Sequence, residues 1–115
     1  LSTDPVAFYI SNKALSPGLV GSQLCRAWVN FDTSGNINAS FNVTSVEDTS
    51  TQLKKINLTT AMPDVNYACA LTKINSTDSS YNANFELRNE STASQLSTYM
   101  HDEENTTGYT VAVFR

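Results

Sequence analysis

This chain predicts an all-β fold: an antiparallel β-sandwich of jelly-roll type, with about seven strands and an extended N-terminal arm. Three observations carry that expectation. Apolar and polar residues alternate along several stretches, as half-buried strands require. Ser (14), Thr (14) and Asn (12) make up 40 of the 115 residues; Thr favours strands, whereas Ser and Asn favour turns over helix interiors. Turn-forming clusters divide the alternating stretches at regular spacing, and no stretch has the length and period of an amphipathic helix.

The elements follow in order. Residues 1–23 hold Pro5, Pro17, Gly18 and Gly21 around an apolar patch from Ala7 to Ile10, and read as an arm or linker ahead of a domain spanning 24–115. Residues 24–31 set Cys25, Ala27, Val29 and Phe31 on one face, with Leu24, Arg26, Trp28 and Asn30 on the other. A tryptophan on that second face implies that it too is covered, by a subunit or by the arm. Asp32-Thr33-Ser34-Gly35 makes the first turn. Residues 37–43 set Ile37, Ala39, Phe41 and Val43 against Asn38, Ser40 and Asn42, as one unbroken strand. Beyond a polar break at 47–52, residues 54–60 turn Ile56 and Leu58 inward. Met62-Pro63-Asp64 breaks the chain again, and 67–74, with small residues on both sides, reads as a central strand. Residues 81–87 set Tyr81, Ala83, Phe85 and Leu87 against Asn82, Asn84 and Glu86. A short strand at 96–100 and a longer one at 109–114 complete the set. The expected core joins Phe41, Val43, Phe85, Leu87, Val111 and Val113.

Composition bounds the function. Leu, Ile, Val and Phe sum to 26 of 115 residues, enough for one core. Charged residues are only 16% and the net charge is −4, which argues against a basic groove for nucleic acid. No apolar run has the length of a membrane-spanning helix. No basic and apolar leader stands at Leu1, so any signal segment would already be gone.

Little in the chain offers catalytic chemistry. The single histidine, His101, begins the run His101-Asp102-Glu103-Glu104, which reads as a solvated acidic loop. Asp32, Asp48, Asp64 and Asp78 fall in turn-like segments, where Asx-turn chemistry explains them. No catalytic residue, metal ligand or cofactor is expected, and the chain reads as a non-enzyme. Cys25 and Cys69 read as free thiols packed as small hydrophobes. Asn38, Asn42, Asn57, Asn75, Asn89 and Asn105 all fit N-x-[ST], about twice the number that this composition yields by chance.

Several strings carry a resemblance. Cys25-Arg-Ala-Trp-Val-Asn-Phe-Asp32, Ala39-Ser-Phe-Asn-Val43, Ser45-Val46, Asn57-Leu-Thr-Thr-Ala-Met-Pro-Asp-Val-Asn-Tyr67 and Tyr109-Thr-Val-Ala-Val-Phe-Arg115 resemble a C-terminal β-sandwich domain of tailed-bacteriophage virion proteins of the tail-fibre kind. The stretch from Asn75 to Gly108 departs from that pattern, as do the turns, which keep only Gly35 where such domains are glycine-rich. The resemblance implies a non-enzymatic virion structural protein assembled in bacterial cytoplasm. It would act as a tail-fibre or adhesin-like module, binding a host surface glycan or protein through many weak contacts. It also implies a homotrimer that meets other virion proteins, free thiols and unused sequons.

Loop residues Asn75, Thr77, Asp78, Tyr81, Asn89, Tyr99, His101 and Asp102 are the receptor-contact candidates. Phe8, Tyr9, Ile10, Leu24 and Trp28 are the assembly candidates. Two other readings stand beside this one. The first is a capsid or tail decoration or connecting subunit, docked through its N-terminal arm. The second, resting on the sequons, is a secreted glycoprotein domain.

Overall fold

The strict alternation of Ala27, Val29 and Phe31 buries all three side chains on one face of a strand at the middle of a sheet. The computed structural model describes residues 24–75, 84–101 and 106–115, and the architecture is an antiparallel β-sandwich. Its strands are β1 (Cys25–Asp32), β2 (Ile37–Phe41), β3 (Val43–Asp48), β4 (Leu53–Leu58), β5 (Ala68–Asn75), β6 (Phe85–Leu87), β7 (Gln95–Met100) and β8 (Thr106–Phe114). The first sheet runs β2-β1-β8-β5 and the second β3-β4-β7-β6. Three pairs, β1–β2, β3–β4 and β6–β7, join sequence neighbours; the remaining connections cross between sheets. The arm residues 1–23, with Phe8, Tyr9 and Ile10, lie outside the described residues.

Among the described residues eight strands stand where about seven are expected, because residues 37–43 are two strands and not one. Asn42 sits at the break with φ 57°, in the left-handed region that Asn tolerates better than most residues. Its side chain holds the corner. Nδ2 donates to the main-chain oxygens of Arg26 (3.1 Å) and Thr60 (3.0 Å), and Oδ1 accepts from the Thr60 amide (2.7 Å). The chain leaves the first sheet at Phe41 and enters the second at Val43. Phe41, expected in the core, therefore stays on the outward face of the first sheet at 48% exposure. Val43 packs against the core from the second sheet.

The core lies between the sheets. Phe31, Tyr109, Val111 and Val113 enter it from the first sheet; Ile56, Leu58, Leu96 and Met100 enter from the second. Burying side chains of this size contributes about 1.5–3 kcal/mol each. Tyr109 links the layers, its ring 5.3 Å from Phe31 in its own sheet and 4.9 Å from Phe85 in the other. Phe85 and Leu87 are half-buried on the edge strand β6 and pack against this core. Residues 81–83, which were expected to extend that strand, lie outside the described residues. Met62 and Tyr67 close one end of the sandwich, and Tyr67 donates its hydroxyl to the Thr92 carbonyl at 2.8 Å.

Three features depart from the one-dimensional pattern. β5 is an edge strand and not a central one; its small outward residues, Ala68, Ala70 and Thr72, are exposed. β7 is central and nearly all buried, although Ser97 and Thr98 interrupt its apolar residues. Their hydroxyls are satisfied within the fold: Thr98 donates to the Lys54 carbonyl (2.9 Å) and Ser97 to Glu90 (2.6 Å). Lys54 itself points inward at 1% exposure. Its ammonium meets Asp48 (2.8 Å) and donates to the carbonyls of Ser50 (2.7 Å) and Thr51 (3.1 Å). A buried charge needs such oxygen partners, and this one ties the β3–β4 hairpin to its own strand.

The cysteines flank β8 from either side. Cys25 on β1 stands opposite Phe114, across a bulge, and Cys69 on β5 stands opposite Val113. Two inter-strand steps separate their backbones by roughly 9–10 Å, beyond the reach of about 7 Å for a disulfide. Both are free thiols. Only Cys69 packs against the core, where burial pushes its pKa up to about 11. Alkylation without reductant is expected to modify both thiols of the unfolded chain, with Cys69 protected in the folded one. Recovery of thiols only after reduction would overturn this.

Candidate functional site

The loops of the sandwich collect at two ends. One end carries the β1–β2 turn, the β3–β4 hairpin, the last residue of β5 (Asn75), and His101. The first turn is built on Asp32, whose carboxylate accepts from the amides of Ser34 and Asn36 (both 2.9 Å) and from the Asn36 side chain (3.0 Å). These donors, the Asn36 amide above all, hold the Asp32 pKa below the ordinary range. Gly35 takes φ +84°, and a Cβ there would lie 3.2 Å from the Val46 carbonyl, so the turn packs closely on the other sheet. Gly108 meets the same end: a Cβ there would stand 2.6 Å from the Phe31 carbonyl.

The densest polar cluster sits beside this end, on the outward face of the second sheet. Tyr99, half-buried, donates its hydroxyl to Gln52 Oε1 at 3.0 Å. The Arg88 guanidinium lies 5.3 Å from the centre of the Tyr99 ring, within cation–π range. The His101 ring meets it edge-on at 5.0 Å, and His101 Nε2 lies 3.1 Å from Glu86 Oε1. Tyr99 is thus enclosed by its neighbours, and the groups left facing solvent are the imidazole, the Glu86 carboxylate and the guanidinium. Such a trio exchanges hydrogen bonds with hydroxyls and amides. The same face continues into a second network. Asn57 and Gln95 each donate a side-chain N–H to Glu47 Oε2 (3.0 and 2.9 Å), and Gln95 also donates to Asn57 Oδ1 (2.7 Å).

The structure brings Tyr99 and His101 together, with Asn75 at the same end. It sends Asn89 to the opposite end, in the turn that follows β6. Thr77, Asp78, Tyr81 and Asp102 lie outside the described residues. Glu86, Arg88 and Gln52 were not among the sequence candidates. Glu86 had a signal, as a charged residue on the polar side of 81–87; Gln52 had none, because only the β4–β7 pairing brings it to Tyr99. Among the described residues no group of three or more His, Cys, Asp or Glu side chains is placed to hold a metal ion.

The opposite end is a structural cap. Asp64 and Arg115 form a two-pronged ion pair (2.9 and 2.8 Å), and Arg26 donates to the Arg115 carbonyl at 2.9 Å. The strings around Met62-Pro63-Asp64 and the terminal Phe114-Arg115 thus meet in space. Arg115, with the Asn66 amide, lowers the Asp64 pKa to about 2. A depressed carboxylate contributes stability that is present above its unfolded pKa and lost as pH falls through the folded one. The melting temperature is therefore expected to drop between about pH 4 and pH 2, and Asp64→Asn is expected to flatten that drop. An unchanged acid profile in the variant would show that the pair adds nothing to stability. Beside this cap, Arg26, Phe41, Thr60 and Met62 line a shallow cleft of about 400 Å³.

Trp28 lies on the outward face of the first sheet at 41% exposure, next to Phe41. Leu24, expected to share its face, precedes a bulge between Cys25 and Ala27 that interrupts the alternation. The two outward faces therefore differ: Trp28 and Phe41 stand exposed on the first, with Arg26 at its margin, and charged, hydrogen-bonded groups surround Tyr99 on the second. Compared with protein-family models, curated proteins and solved structures, the chain matches none of them.

Proposed function

We propose that this domain is a non-enzymatic attachment module of a tailed-phage virion, tail-fibre or adhesin-like. It would meet a host-surface glycan or protein with its loop end and the Tyr99 face. The single observation that carries the reading is the division of the surface. One outward face presents hydroxyls, amides and paired charges, which suit a hydroxyl-rich ligand. The other presents exposed Trp28 and Phe41 among small and mostly uncharged side chains, which suits packing against other copies or other virion proteins.

The strings that resemble phage virion domains occupy the β1 core and the Asp64–Arg115 cap, so the resemblance concerns the scaffold. Binding would be decided at the other end. The non-enzymatic reading is supported by Cys69, whose burial disfavours the reactive thiolate. Three sequon asparagines already use their amides, Asn38 on Asn30, Asn42 at the β2–β3 corner and Asn57 in the Glu47 network, which weighs against the secreted glycoprotein reading.

The test displays the domain at high density on beads and challenges it with a panel of bacterial cells and isolated surface glycans. Attachment to some of them, weakened by Arg88→Ala with His101→Ala, is the expected result. Binding to none, together with label on the capsid in electron micrographs of particles, would favour the decoration-subunit reading instead.

A further inference from the structure

The strand register places one row of residues straight across the outward face of the first sheet. Phe41 pairs with Trp28, Trp28 with Ala112, and Ala112 with Ala70. The row therefore reads large, large, small, small. The next row, Ala39, Asn30, Thr110 and Thr72, holds small and polar side chains, and neither row carries a charge. These two rows meet a copy of themselves without like-charge repulsion; the nearest charge, Arg26, lines the cleft beside Phe41 and donates to the Arg115 carbonyl.

From this row we propose that the face is a self-complementary interface, occupied by a second copy of the chain across a two-fold axis. The axis runs parallel to the strands, between β1 and β8. That operation sets β1 of one copy over β8 of the other, and β2 over β5, at the same level along the strands. Trp28 then covers Ala112 of the second copy, and Phe41 covers its Ala70: each large side chain falls on a small one. A two-fold axis across the strands would instead stack Trp28 on Trp28. Sheets packed face to face are rotated by about 30°, which displaces the outer Phe41 contact more than the inner Trp28 contact beside the axis. Four strands of five to nine residues cover roughly 480 Å² in projection, approaching the smaller stable interfaces at about 600 Å² per partner. The pairing differs from the threefold that the resemblance implies. It rests on the self-association in the reading above and not on the virion setting.

Analytical ultracentrifugation over a micromolar concentration range tests it. The unmodified chain is expected to be a dimer. Trp28→Ala should weaken it by about tenfold or more, as expected for a central interface tryptophan. Ala112→Trp should also weaken it, because two tryptophans then confront each other. Combining Trp28→Ala with Ala112→Trp exchanges knob and hole and should restore the dimer. A monomer at every concentration, a trimer, or a double variant no tighter than either single one would overturn the proposal. Ala70→Glu, at an exposed position on the edge strand, offers a second route should the aromatic variants not fold: it should dissociate the dimer, and a dimer that tolerates it would also overturn the proposal. A monomer that still attaches to cells from beads would remove the two-fold and leave the attachment reading standing.

Discussion

Phe31→Ala is expected to lower the unfolding free energy by about 3–5 kcal/mol, the range for a large aromatic removed from a packed core. Phe31 is fully buried and pairs directly with Tyr109 across β1 and β8. The Tyr109 ring in turn contacts Phe85 of the other sheet, so the cavity would open where the two layers are joined. Urea denaturation of the variant measures the loss, and Phe41→Ala is the control. Phe41 reads as core from its alternation but stands on the outward face, so its removal is expected to cost under about 1 kcal/mol in the isolated chain. Equal losses in the two variants would contradict the placement of both residues.

Asn42→Ala is expected to cost at least about 2.5 kcal/mol. Two terms add. A residue other than Gly or Asn pays roughly 1–2 kcal/mol to adopt the left-handed conformation, and each lost hydrogen bond forfeits about 0.5–1.5 kcal/mol. Asn42→Gly separates them: glycine keeps the backbone free and loses only the three bonds to Arg26 and Thr60. Its cost is expected to be smaller than that of alanine by about the conformational term. If the two variants are equally stable, the φ of 57° carries no strain that matters. Either variant also removes a sequon, so an intact-mass difference equal to the substitution alone would agree with an unglycosylated Asn42.

Much of the fold was legible because strand periodicity is local. Ala27, Val29 and Phe31 alternate with larger or polar neighbours, and they are buried as their spacing requires. Ile56 and Leu58 follow the same rule in β4, and Tyr109, Val111 and Val113 follow it in β8. The turn at Asp32–Gly35 was legible for the same reason, since its hydrogen bonds close within five residues. β7 was the least clear strand, because Ser97 and Thr98 read as surface residues until Glu90 and the Lys54 carbonyl are brought beside them.

The candidate site was legible in part. Tyr99 and His101 stand out in the sequence as an aromatic and a titratable group near a predicted loop. Their partners Glu86, Arg88 and Gln52 reach them only through the β6–β7 and β4–β7 pairings, which no local pattern specifies. Asn89 shares the composition of a contact loop but belongs to the other end.

By itself, then, the sequence determined an antiparallel sandwich and the inward faces of its central strands. Those properties follow from side chains alternating along each strand and from the burial that alternation permits. Only the tertiary structure decided that 37–43 turns a corner at Asn42, that Lys54 is buried against Asp48, and that Phe41, Trp28, Ala112 and Ala70 form one row. Each depends on which strands become neighbours. Strand order is set by contacts between residues far apart in the chain, and a period of two is the same whichever strand lies alongside.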